Sequence, residues 1–313
     1  MTERRSIVSS GAAIAGRNKR YVVWFWLLNL ALAAVGGTAF SLRAHALLDH
    51  SLYADGLVRG FDPGILLEML GRPEFGPIKA STVPAMMAAV LFFVLTMILL
   101  PGVLQGYASD HRISRAEFFR ACGINLWRFV RLTILFAIIG GIVAGILFGI
   151  QQGLVNAADA TSHETLPFYL QIASLAVIFL IMTTLRIWFD LAQTGAVLSD
   201  QPAVRKSLAS AFRQTRKNLA RLLASYVGIA IVGLVVLVVG VWLWHMIVPP
   251  PNVIGAFLIS QAILFSLLAV RFWQRATAVA FYTGSVQDQP AEITPLMVAS
   301  VVPATMTSEA ARL

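Results

Sequence analysis

The chain has 313 residues, 58% hydrophobic and only 12% charged, where a soluble domain carries about 25% charged residues. Its mean hydropathy is +0.77, and its apolar runs exceed the roughly 18 residues that separate a membrane span from a core helix, which argues against a water-soluble globule. The single cysteine, Cys122, excludes an intrachain disulfide framework and a cysteine-based metal site, and the net charge of +9 is spread over bases that flank apolar runs, as orientation signals do, rather than forming a nucleic-acid patch.

Residues 1–20 are polar and basic, with Arg4, Arg5, Arg17, Lys19 and Arg20, and are expected to be a cytoplasmic N-terminal segment. A first span is predicted over 21–40, with Tyr21, Trp24 and Trp26 at the interface. Its apolar run is longer than a signal-peptide core, which favours an uncleaved anchor. Residues 41–83 are the longest polar stretch and are expected outside the cytoplasm. Two short helices are expected there, one over 42–52 and one from Asp62 to Gly71 with Pro63 at its first position.

The second span is predicted over 84–104. Ser114 and Glu117 then form a capping-box pattern. That pattern opens an amphipathic helix with Phe118, Phe119, Leu126, Phe129 and Val130 on one arc and Arg120, Arg128 and Arg131 on the other. The third span is predicted over 130–150. Gly141, Gly145 and Gly149, spaced by four, make a smooth stripe suited to close helix packing. After a short loop over 151–166 comes a fourth span over 168–188.

Residues 199–223 form the second basic connector, capped by Ser199 or Asp200 with Pro202 in the first turn. Val204, Leu208, Phe212, Leu219 and Leu223 make its apolar stripe, and Arg205, Lys206, Arg213, Arg216, Lys217 and Arg221 surround it. Such a helix lies flat on a membrane face with its charges toward headgroups and water. The fifth span is predicted over 222–247 and the sixth over 254–273, joined through Pro249, Pro250 and Pro251. Residues 284–313 read as a disordered cytoplasmic tail.

The two connectors echo each other. Ser109, Asp110, Arg115, Ala121, Arg131 and Leu132 match Ser199, Asp200, Arg205, Ala211, Arg221 and Leu222 without gaps. A second echo links the exits of the fourth and sixth spans, Arg186-Ile187-Trp188 and Arg271-Phe272-Trp273, each an Arg and a Trp that anchor a helix end at the headgroup level. The expected fold is therefore all-α and polytopic, with six transmembrane helices, two cytoplasmic interfacial amphipathic helices and an internal parallel repeat of span, interfacial helix, span. With six spans, Arg43, Arg59, Arg72 and Lys79 fall on one side, and every other Lys and Arg falls on the side of the termini and connectors. The positive-inside rule puts that second side in the cytoplasm of a bacterial inner membrane.

Candidate chemistry is sparse. His45, Asp49 and His50, with Glu68 downstream, are the densest titratable group, but they lack an HExxH pattern and read as a solvated loop. His245 among Trp242 and Trp244 reads as interfacial. No charge sits at a span centre, although Arg186 and Asp190, four apart at the cytoplasmic end, can pair on one face. Asn29, Gln171, Gln193 and Gln261 are suited to bonding helices together, each contributing about 1 kcal/mol. No Walker A, Rossmann or GxSxG motif is present, and Ser225 and Ser260 have no base partner in the pattern. No catalytic, cofactor or metal residue is assigned, and the expected contacts of the basic helices are anionic inner-leaflet lipids or an unidentified membrane or cytosolic protein, not nucleic acid.

Glu117 and Gly123 share the spacing of the cytoplasmic helix of ATPase-driven permeases, but Phe118 and Phe119 stand where that pattern has alanines and Arg213 where the second copy would have glycine. The alternation of span, basic amphipathic helix and span over about 85–283 resembles a group of uncharacterised bacterial multi-pass proteins. It is also similar to the membrane domain attached to some glycerophosphodiester phosphodiesterases. The resemblance implies a fold and a membrane role without an active site, since no soluble segment is long enough for their catalytic domain. The expected function is a non-enzymatic membrane scaffold or lipid- or partner-binding protein. The alternatives are a transporter or permease subunit for a small or amphipathic molecule, and a lipid-modifying enzyme using the outer loop.

Overall fold

The computed structural model describes residues 6–48, 64, 78–109, 111–159, 165–199, 204–249 and 252–287. Eight helices are found among them: α1 (Ile7–Arg17), α2 (Arg20–Leu48), α3 (Ile78–Ala108), α4 (Arg115–Asp159), α5 (Leu166–Leu198), α6 (Val204–Lys217), α7 (Leu219–Ile247) and α8 (Val253–Gln287). Six of these, all but α1 and α6, are long and apolar enough to cross a membrane. Helices are one of only two ways to satisfy every backbone polar group in hydrocarbon. The chain is an all-α polytopic membrane protein.

Several elements differ from expectation. The N-terminal segment is not featureless: Ser6 caps α1 by accepting the Ser9 N–H at 3.2 Å, and Asn18 closes it. The first amphipathic segment and the third span are one unbroken helix, α4, of 45 residues, which at 1.5 Å per residue is about 68 Å, far longer than a roughly 30 Å hydrocarbon core. Helix α3 runs through Pro101 and Gly102 to Ala108. Ser199 ends α5 by donating its N–H to Gly195 O rather than opening α6. Helix α8 continues past Trp273 to Gln287, so residues 284–287 are helical. Helix α2 continues past Phe40 to Leu48, while most of the segment expected to hold two short helices, together with Asp49, His50, Glu68, Asp200, Pro202 and 288–313, lies outside the described residues.

The capping box forms as the sequence predicts. The Ser114 N–H donates to Glu117 Oε2 at 2.7 Å, and the Glu117 N–H donates to Ser114 Oγ at 3.2 Å. Ser114→Ala should therefore cost about 1 kcal/mol. The check is the unfolding midpoint together with amide exchange in the first turn of α4, where unchanged exchange would refute the cap's role.

The helices pack in a cyclic order. Each of α3, α5 and α8 carries on one side the transmembrane helix that precedes it: α2, α4 and α7. Each also carries the short helix, or helical start, that follows it in the ring: the start of α4 on α3, α6 on α5, and α1 on α8. Helices α3, α5 and α8 meet one another at the centre. The third of these joints brings the first described helix against the last described one.

The joints share a register. The Trp188 indole donates to Leu208 O at 3.0 Å, and the Trp273 indole to Val8 O at 2.9 Å. Both acceptors lie ten positions before an asparagine, Asn218 or Asn18, whose side-chain amide donates four residues back, to Gln214 O or Ile14 O. Asn125 does the same to Ala121 O in α4. Seven positions before these asparagines stand Ala211, Gly11 and Phe118. The bulk is complementary across two of the joints. Phe118 presses on Gly102, where a Cβ would come within 2.6 Å of its ring, and Gly11 lies against the backbone of Thr277.

Burial concentrates at the end of the bundle that carries the short helices. One cluster gathers Tyr21, Phe25, Leu104, Tyr107, Phe118 and Phe272. A second gathers Leu132, Ile187, Leu191, Ala211, Leu222 and Tyr226. Further along the spans, large apolar side chains such as Ile138, Ile142, Ile146, Leu234 and Val238 are exposed, the surface a lipid-facing helix presents.

Candidate functional site

Of the nine cations assigned to the basic faces, eight are exposed and Arg128 is half-buried. Their apolar sides pack differently from the predicted stripes. In α6 the buried positions are Ser207, Ala211 and Thr215, spaced by four, while Phe212 stands 49% exposed with its ring 5.2 Å from Trp188. The small face is buried because only small side chains allow α6 to come close to α5. In α4 Phe118 and Phe129 are buried as expected, but Phe119 is exposed, and Arg131 lies 5.1 Å over the exposed ring of Trp127.

The structure brings Arg205, Lys206 and Arg213 together around a groove of about 530 Å³ between α5, α6 and Tyr282 of α8. Ser199, Ser207 and Ser210 add hydroxyl groups, and among the described residues no carboxylate lines it. Ser207 Oγ is buried without a hydrogen-bond partner among the described residues. Arg216, Lys217 and Arg221 lie outside this groove, as do Arg120, Arg128 and Arg131 on α4.

Among the described residues no helix closes on the glycine row. Nothing lies within 4 Å of a Cβ placed at Gly141, Gly145 or Gly149. The buried stripe of α4 is Phe118, Cys122, Asn125, Phe129, Leu132 and Gly140. Gly140, one residue before the row, is the glycine that faces α5, where an added Cβ would lie 3.7 Å from Leu185 Cδ2. A single-residue step turns the helix face by about 100°, so the row points away from α5.

Arg186 and Asp190 do pair, at 3.6 Å between Nε and Oδ2, an ion pair too long for a hydrogen bond. The same carboxylate oxygen accepts the Tyr226 hydroxyl at 3.0 Å. The pair borders a second cavity, of about 150 Å³, among α3, α4, α5 and α8, which Arg271 and Arg275 also line. From the sequence Arg271 reads as a headgroup anchor and Arg275 has no role. The signal was present in the Arg-x-Trp echo, because Arg275 follows Arg271 by the same four residues that separate Asp190 from Arg186. Gln193 lines this cavity as well. Among the described residues no group of three or more His, Cys, Asp or Glu is placed to hold a metal, and His45 stands exposed on α2.

Six crossing helices with a cation-rich groove at one end define a multi-pass α-helical membrane protein. Comparison of the chain with protein-family models, with curated proteins and with solved structures finds no match.

Proposed function

We propose that this chain is a non-enzymatic multi-pass protein of a bacterial inner membrane, with both termini in the cytoplasm, that holds anionic lipid headgroups against its cytoplasmic face as a membrane scaffold. The groove of Arg205, Lys206 and Arg213 carries the reading: three cations and three serine hydroxyls, with no carboxylate among the described residues, are the donor set a phosphate diester takes. An acidic protein surface is the other occupant this chemistry accepts. The skew of Lys and Arg toward one side supports the orientation. The resemblance to membrane domains attached to glycerophosphodiester phosphodiesterases agrees with an accessory role.

Each cation near an anionic surface contributes about 1 kcal/mol. Neutralising Arg205, Lys206 and Arg213 together to Gln should therefore cut the enrichment of spin-labelled phosphatidylglycerol over phosphatidylcholine around the reconstituted protein about tenfold or more. Equal enrichment in the variant would sink the lipid reading. A reporter fused after Ser207 should act in the cytoplasm, and periplasmic activity would overturn the orientation.

The transporter reading draws on the inner cavity, where Arg186, Arg271 and Arg275 face Phe93, Phe136 and Phe189. That is an amphipathic lining suited to a small or amphipathic molecule.

The repeat is best read as three units rather than two, each a short amphipathic helix followed by two spans: α1–α2–α3, α4–α5 and α6–α7–α8. The shared register of Asn18, Asn125 and Asn218, and of the Trp188 and Trp273 bonds, supports this division.

A further inference from the structure

We infer that the inner cavity bordered by Arg186, Asp190, Arg271 and Arg275 is a binding site for one phosphate-bearing anion, separate from the outer groove. Three guanidiniums and one carboxylate line it, a formal charge of +2. Charge of one sign inside a bundle is costly unless it is paired, and ionisable side chains within membrane helices mark functional sites by default. Asp190 satisfies little of the demand. Its Oδ2 takes the Tyr226 hydroxyl, and Arg186 stands off at 3.6 Å. Two buried nitrogens of Arg186, Nε and Nη2, have no hydrogen-bond partner among the described residues, and neither does the buried Oγ1 of Thr96 on the opposite wall. Guanidinium forks match phosphate oxygens two by two.

Size and lining narrow the ligand. At about 150 Å³ the cavity is smaller than the roughly 300–1,000 Å³ that enclose a drug-sized molecule and several times the ~30 Å³ share of one water. It takes a headgroup-sized anion. Phe93 and Arg271, both lining it, are exposed, so it opens beside them to the bundle surface. Phe93, Met97 and Phe136 continue from the cationic wall as an apolar track. Arg186 with Asp190, and Arg271 with Arg275, come from matching positions of two central helices, with Thr96 and Leu100 on the third. The site therefore forms only where α3, α5 and α8 meet, and its cation count follows from which unit carries arginine.

The phosphate belongs either to a lipid headgroup or to a free anion, and one experiment separates them. The full-length protein, delipidated in neutral detergent, is titrated with phosphatidylglycerol in mixed micelles, with phosphatidylcholine, and with inorganic phosphate. Binding is followed by unfolding temperature and by lipid retained in native mass spectrometry. Phosphatidylglycerol should raise the unfolding temperature with one lipid retained per chain beyond any held in the outer groove, and the Arg271→Gln/Arg275→Gln double variant should bind that lipid at least tenfold more weakly. The Arg205→Gln/Lys206→Gln/Arg213→Gln variant of the outer groove should keep this one lipid. A response to phosphatidylglycerol alone assigns the lipid source, and a response to inorganic phosphate assigns a free anion. If the double variant does not fold, Arg271→Gln carries the test alone, because Arg271 is exposed and in no ion pair among the described residues. No response to either phosphate probe, or loss of the lipid through the groove variant and not through the cavity variants, overturns the site.

Discussion

Asp190→Asn will lower the stability of the purified protein by about 3 kcal/mol, the low end of what is lost when one partner of a buried ion pair is removed. The side chains of Asp190 and Arg186 are 14% and 23% exposed, so water screens them little. Asparagine keeps an acceptor for the Tyr226 hydroxyl, and the loss isolates the charge. The guanidiniums of Arg186, Arg271 and Arg275 then share a cavity with no anion. Tyr226→Phe is the measure of comparison, removing one hydrogen bond at a cost of about 1 kcal/mol while leaving the ion pair. Denaturant unfolding in mild detergent, followed by tryptophan fluorescence, reads both. If Asp190→Asn lies within about 0.5 kcal/mol of the parent, as an ordinary surface change would, the pair is not a structural element. The same variant should bind phosphate-bearing anions more tightly, because it removes the only carboxylate among the described residues that line the cavity.

Gly11→Val will detach α1 from α8. A Cβ at Gly11 would lie 2.8 Å from the Cα and N of Thr277, and the backbone of a long helix does not yield. The joint must open, with the loss of the bond from Trp273 to Val8 O. Overpacking typically costs 1–3 kcal/mol, and a hydrogen bond about 1 kcal/mol more. Amide exchange over 7–17 should rise toward that of a free helix, while exchange in α4 and α5 stays as it was. Gly16, which meets nothing within 4 Å, provides the contrast. Gly16→Ala should hold or raise stability by up to about 1 kcal/mol through helix propensity alone. Equal protection of α1 in Gly11→Val and in the parent would refute the joint.

The crossing helices were legible because hydrocarbon imposes one backbone solution, and the capping box at Ser114 and Glu117 because it is local. What depends on which helix meets which was not legible. Trp273 reads as an interfacial anchor until α1 is known to lie beneath it. Ile7, Gly11 and Ile14 are too few apolar residues to announce a packed helix in a basic segment. The glycine stripe at 141–149 has the composition of a contact, but composition does not tell which face of α4 its neighbours occupy. In α6 Leu208 packs at the edge of the second cluster, yet the most deeply buried face is the quieter set Ser207, Ala211 and Thr215, chosen by distance of approach. Arg186 and Asp190 were found by their spacing within one helix. Arg275 needed a partner helix to gain meaning.

The bond between Trp273 and Val8 spans 265 positions, and this separation has a consequence in time. At the ribosome's pace of about 5–20 residues per second, α1 emerges roughly ten to fifty seconds before its seat on α8 exists. Through that interval the nascent bundle is a sector with two unfinished edges, one of them bearing Gly11. Every earlier joint closes between neighbours in synthesis order, and this one alone waits for the final helix. A chain released before Trp273 is made would keep an unsealed seam at the membrane, the kind of defect that membrane proteases find.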